Sequence, residues 1–106
     1  ETALLRSNLR FAQTRAMADT GAEWSVVLTA AGYSLQRDGA PASTTWPGEA
    51  SSTHAFSDSV VQITAGTGTI VYDAWGSPGT ADHTITLADG DQTSDITLVG
   101  VTGFIP

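Results

Sequence analysis

Few residues in this chain have the type and spacing for chemistry. Asp89, Asp91 and Asp95 set three carboxylates at short intervals, and hard oxygen ligands suit calcium. The run lacks the loop length and the distal bidentate Glu of a dedicated calcium loop. Asp and Gly also populate hairpin turns for purely local reasons, so a turn is the stronger reading. His54 and His83 are the only imidazoles. Neither has a second ligand at helical or finger-like spacing, which favours packing or surface roles over a metal site. Ser and Thr are plentiful, yet no Gly-x-Ser-x-Gly elbow occurs and no His or acid is placed beside one. Ala65-Gly66-Thr67-Gly68-Thr69 lacks the Lys and the following helix of a phosphate loop. The expectation is no catalytic residue, no metal and no cofactor: not an enzyme.

Two tryptophans offer a binding alternative. Trp24 and Trp46 have ring faces suited to stacking on a sugar, and Trp46 lies beside Pro47 in a polar stretch. Large aromatics also pin loops to cores by burying their own area, and that reading is preferred for Trp46.

Bulk composition narrows the partners. The chain has 106 residues, 41% hydrophobic and 14% charged, with 11 Gly, no Cys and net charge −7. That is one folded domain, residues 1–106, of ordinary size. The only cations are Arg6, Arg10, Arg15 and Arg37. Nucleic-acid binding needs clustered cations to displace counterions, so no nucleic acid is expected as a partner. Absence of Cys excludes a disulfide scaffold and thiolate metal sites without fixing a compartment. No stretch approaches the roughly 20 apolar residues of a membrane span.

The elements that must position these residues follow from periodicity. Residues 1–20 read as a helix, with Leu5, Leu9, Ala12 and Ala16 on one stripe. Leu4, Phe11 and Ala18 form a second row about 100° away, and Arg6, Arg10 and Gln13 take the far side. Gly21 suits a left-handed helix stop. Glu1-Thr2-Ala3 has no N-cap signal ahead of Leu4 and reads as the interior of a longer helix. From residue 23 onward the period becomes two, giving a β head over 23–106. Strands are expected at 24–29, 33–37, 60–64, 69–73, 83–88 and 95–99, with a terminal edge strand over 100–105. Gly32 and Gly90 mark hairpin turns. Residues 38–58 read as a long surface loop with a short extended piece near His54. The fold class is α+β: one N-terminal helix packed on about seven short antiparallel strands.

An ordered set of segments resembles a known family. The helix Leu4-Leu5-Arg6-Ser7-Asn8-Leu9-Arg10-Phe11-Ala12-Gln13-Thr14-Arg15-Ala16 is similar to that of the minor pseudopilins of the GspH/FimT type. There, Leu5, Leu9, Arg10, Phe11, Ala12, Arg15 and Ala16 take the places of the family's helical pattern. Ile70-Val71-Tyr72-Asp73-Ala74-Trp75-Gly76-Ser77-Pro78 resembles the family's strand with its acidic residue, glycine and proline. Ile85 to Gly90, Ile96-Thr97-Leu98 and Gly103-Phe104-Ile105 resemble its closing hairpin and terminal strand.

The resemblance implies a pilin-like head that works by assembly. Its partners would be other pilin or pseudopilin subunits of a type II secretion pseudopilus or type IV pilus. A prepilin leader and an apolar helix ahead of Glu1 would place it as a single-pass protein of the inner membrane. Its head would lie in the periplasm or on an extracellular filament. Leu4, Phe11, Arg10 and Arg15 are then candidates for subunit contacts, while Leu5, Leu9, Ala12 and Ala16 pack on the sheet. Two alternatives stand beside it. One is DNA capture, which some FimT-like minor pilins perform through a basic C-terminal stretch; here residues 100–106 hold no Arg or Lys. The other is a carbohydrate-binding or adhesive β-module using Trp46 and the 38–58 loop.

Overall fold

The computed structural model describes all residues from Glu1 to Pro106. It is an α+β structure of one N-terminal helix and two antiparallel sheets. The helix, α1, spans Thr2–Ala18 and contains no Gly, no Pro and no acidic residue. Ala, Leu, Arg, Gln and Met dominate it, and these lose little freedom in a helix. Its end differs from expectation. Asp19 forms the C-cap at φ −125 and ψ 73, its N–H bonded to the Arg15 carbonyl, and Gly21 is not left-handed. The helix is stopped by Asp19 two residues before the glycine is reached.

Eight strands follow, against about seven expected: β1 Trp24–Thr29, β2 Gly32–Arg37, β3 Ala40–Pro41, β4 Thr53–Ala55, β5 Val61–Ala65, β6 Gly68–Tyr72, β7 His83–Asp89 and β8 Gln92–Leu98. The first sheet runs β3-β2-β1-β6, with β4 also pairing β2; the second runs β5-β7-β8. In the first sheet Val26 sits opposite Leu35 on one side and Ile70 on the other, and all three are buried. In the second, Ile85 faces Ile96, again both buried. Period-two alternation thus sends Trp24, Val26, Leu28, Tyr33, Leu35, Ile70 and Tyr72 inward from one sheet, and Ile85, Leu87, Ile96 and Leu98 from the other.

Two glycines have steric work. A Cβ at Gly32 would collide with the His54 carbonyl, so this residue lets β4 lie against β2; the β1–β2 turn itself is Ala30-Ala31. Asp38 and Gly39 have φ of 55 and 78 and close a two-residue hairpin between Arg37 and Ala40. Two successive positive φ values match the twist of the strands they join. The expected 38–58 loop therefore begins with a hairpin and contains β3 and β4.

Helix α1 spans both sheets, packing on β1, β6 and β8. Its buried face is Leu5, Asn8, Leu9, Ala12 and Ala16, and burial of each leucine contributes about 1.5–3 kcal/mol. After β8 no terminal edge strand forms. Residues 99–104 instead fold back in turns, the Val99 N–H donating to the Phe104 carbonyl and the Gly103 N–H to the Val99 carbonyl.

Candidate assembly surface

The head leaves the outer face of α1 uncovered. Ala3, Leu4, Ser7, Arg10, Thr14, Met17 and Ala18 are exposed along its full length. Beside it lies a rim of apolar side chains on two loops. Trp75 is 87% exposed, and Val101 and Phe104 are each 62% exposed. The other two tryptophans of the chain are fully buried, so the bare ring of Trp75 stands apart.

Gln13 joins this rim to the helix. Its side-chain amide donates to the Gly76 carbonyl at 3.0 Å and to the Thr102 carbonyl at 2.9 Å. The expectation that Gln13 lies on the solvent side is corrected here: it staples the 73–79 and 99–104 loops to α1. Gly76 has φ 78, and a Cβ there would press on the Met17 sulfur and the Gln13 chain. Asp73 shapes the first loop by accepting the Trp75 and Ser77 N–H groups at 2.9 Å each, an Asx turn that thrusts the next aromatic outward. In the second loop Val101 sits at φ 69, held by its N–H bond to the Gly79 carbonyl. A β-branched residue in that region is strained by about 1–3 kcal/mol.

The expected site residues fall on different sides. Leu5, Leu9, Ala12 and Ala16 are buried against the sheets. Leu4 is exposed, whereas Phe11, one turn-pair further along the same row, is half-buried and meets the Trp46 ring at 6.2 Å. Arg10 reaches the Ile105 carbonyl at 3.3 Å. Arg15 lies over the Trp24 ring at 5.3 Å, a cation–π contact. Neither Arg10, Arg15 nor Arg6 has a carboxylate partner; Arg37 alone does, with Asp19 at 2.8 Å and Asp38 at 3.8 Å. The Arg37 guanidinium holds the Asp19 carboxyl below its usual range.

Trp46 is fully buried between Phe11 and Tyr33, the latter edge-on at 5.2 Å. Its ring offers no free face for a sugar, so the loop-binding candidate is corrected to a core anchor. The free stacking ring is Trp75, an aromatic in the turn that follows β6.

The candidate chemistry is dispersed. Asp89 ends β7, Asp91 lies in the Gly90-Asp91 turn, and Asp95 accepts the Thr86 hydroxyl. No group of three His, Cys, Asp or Glu is placed to hold a metal ion. Glu1 and Glu49 do meet His54, but on opposite ring nitrogens, so they share no common point. His83 points its Nε2 at the Pro78 carbonyl, 3.2 Å away. Neither histidine meets a Ser or Thr hydroxyl. The Glu1–His54–Glu49 set gave no local signal, since its members are 48 and 5 residues apart along the chain and converge only because β4 pairs with β2.

No family model, curated protein or solved structure matches this chain.

Proposed function

We propose that the chain is the head of a pilin-like structural subunit that works by assembling with other subunits. The observation that carries this reading is the outer face of α1. In a chain of net charge −7, residues 2–18 hold no acid and three arginines without a carboxylate partner. The helix gives one face to the head and leaves the other open from Ala3 to Ala18. Such a surface suits packing beside a second helix, with small Ala, Ser and Thr residues permitting close approach. On this face the exposed Arg10, which has no carboxylate partner, complements the exposed carboxylates that the β heads of neighbouring copies carry, such as Asp91. The bare Trp75, Val101 and Phe104 extend the same surface and are the kind of side chains that anchor interfaces.

On this reading no chemistry is performed and no cofactor is bound. The partners are other pilin or pseudopilin subunits, and the acidic head does not engage nucleic acid. No helix of this chain is long and apolar enough to cross a membrane; on this reading the inner-membrane anchor is an apolar helix ahead of Glu1 that runs on into α1. The head would stand in the periplasm or on an extracellular filament, of either the secretion or the pilus kind.

Leu4→Glu and Thr14→Glu in the full-length protein test the reading. Both positions are exposed, so circular dichroism of the head should stay unchanged while incorporation into filaments or subunit complexes is lost. Phe11 is unsuited to this test because a charge placed there would also strike Trp46. Wild-type incorporation of both variants would overturn the proposal.

A further inference from the structure

His54 of β4 is bracketed by two carboxylates from distant parts of the chain. Its Nδ1 lies 2.8 Å from Oε1 of Glu49, which follows Trp46 in the loop ahead of β4. Its Nε2 lies 3.0 Å from Oε1 and 3.3 Å from Oε2 of Glu1, at the start of α1. A neutral imidazole has one N–H, so it can donate to only one of them and must turn a lone pair toward the other. An imidazolium donates to both. The third neighbour is Tyr33 of β2, whose ring centroid is 4.9 Å from that of His54, close enough for its π face to favour the cation. Phe56 stands edge-on at 6.0 Å and carries no charge. No arginine pairs with Glu1 or Glu49, so apart from the α-ammonium of Glu1 itself His54 is their charged partner.

We propose that Glu1, His54 and Glu49 form a proton-gated clamp, which fastens the Glu1 turn of α1 and the Trp46 loop to β4 while the imidazole is charged and loosens the hold on α1 when it is neutral. The neutral ring keeps its proton on Nδ1, where the contact to Glu49 is shorter, and loses its hold on Glu1. Glu1 makes no side-chain cap, and its turn is closed by the Leu5 N–H on the Glu1 carbonyl at 2.8 Å.

The sign follows from linkage. Burial alone would push the imidazole down, but the hydrogen bonds and charges of Glu49 and Glu1 outweigh it and hold it above the ordinary 6.5. A raised folded value means the clamp contributes fully below about pH 6.5 and fades as pH rises through the folded value. Tyr33, pushed up to about 12, stays neutral throughout that window. This inference concerns the tie between α1 and β4 within the head and does not rest on the assembly reading.

The test is an NMR titration of the imidazoles together with Leu5 amide protection, corrected for intrinsic exchange, from pH 5 to 9. Leu5 protection should fall in step with the His54 titration, by roughly tenfold for each unit its folded value exceeds the unfolded one. His54→Gln should show the low level at every pH. Glu1→Gln should lower the His54 midpoint and abolish the step while the rest of α1 stays protected. Flat Leu5 protection across the His54 titration would overturn the proposal, as would an unmoved midpoint in Glu1→Gln.

Discussion

The side-chain amide of Asn8 donates a 2.8 Å hydrogen bond to the hydroxyl of Tyr33, and both residues are almost wholly buried. The bond links the buried face of α1 to β2 and sets the rotation of the helix about its own axis. Removing either partner strands the other in an apolar site, which costs about 1–3 kcal/mol. Asn8→Leu and Tyr33→Phe should each lose that much stability in urea unfolding. The double variant should lose less than the sum, because neither polar group is then left over.

Trp46 is the second tie between helix, loop and sheet. Trp46→Ala removes a fully buried indole that touches Phe11 and Tyr33. The expected loss is about 3–5 kcal/mol, a large share of the roughly 5–15 kcal/mol that holds a domain together. Urea unfolding of the variant measures it. A folded Trp46→Ala of wild-type stability would contradict the anchor role.

Strain at Val101 gives a prediction of opposite sign. Glycine takes positive φ without a Cβ penalty but loses about 0.5–1 kcal/mol in backbone entropy, against about 1–3 kcal/mol of relief. Val101 is largely exposed, so little burial is lost. Val101→Gly should therefore raise stability, by about 1 kcal/mol on that balance, read as a higher urea midpoint at unchanged slope.

Alkaline behaviour rests on the two tyrosines. Burial pushes the Tyr33 phenol up to about 12 despite its bond from Asn8, and pushes Tyr72 up as well. Folded values above the unfolded one, near 10, mean stability is intact below pH 10 and erodes above it. Absorbance at 295 nm should show no tyrosinate near pH 10. Ionisation should instead arrive together with unfolding at higher pH. Independent titration of either phenol near 10 in the folded protein would contradict this.

How much of this was legible depended on the range of each interaction. The alternating strands β1, β2, β7 and β8 were readable because one face is buried and the period is local. Leu5, Leu9, Ala12 and Ala16 were readable for the same reason at helical spacing. The Asp38-Gly39 hairpin carried its turn signature, but it was absorbed into a loop because the strand after it is two residues long and includes Pro41. The end of α1 is not legible locally, because Gly21 is the stronger sequence signal while Asp19 is the geometric stop. The role of Gln13 is not legible in the helix pattern, because its partners, the Gly76 and Thr102 carbonyls, come from 63 and 89 residues away. Trp75 and the His54 clamp escaped notice because exposure and convergence are tertiary properties.

The central claim is that the outer face of α1 meets other subunits. Its most direct test is in-cell photo-cross-linking of the full-length protein, with a benzophenone amino acid placed at Ser7 or Thr14 and, as control, at exposed Thr93 on β8. Light-dependent adducts to other filament subunits from Ser7 and Thr14, and none from Thr93, are predicted. No adduct from either helix position in cells that produce the protein, or equal adducts from Thr93, would contradict the account.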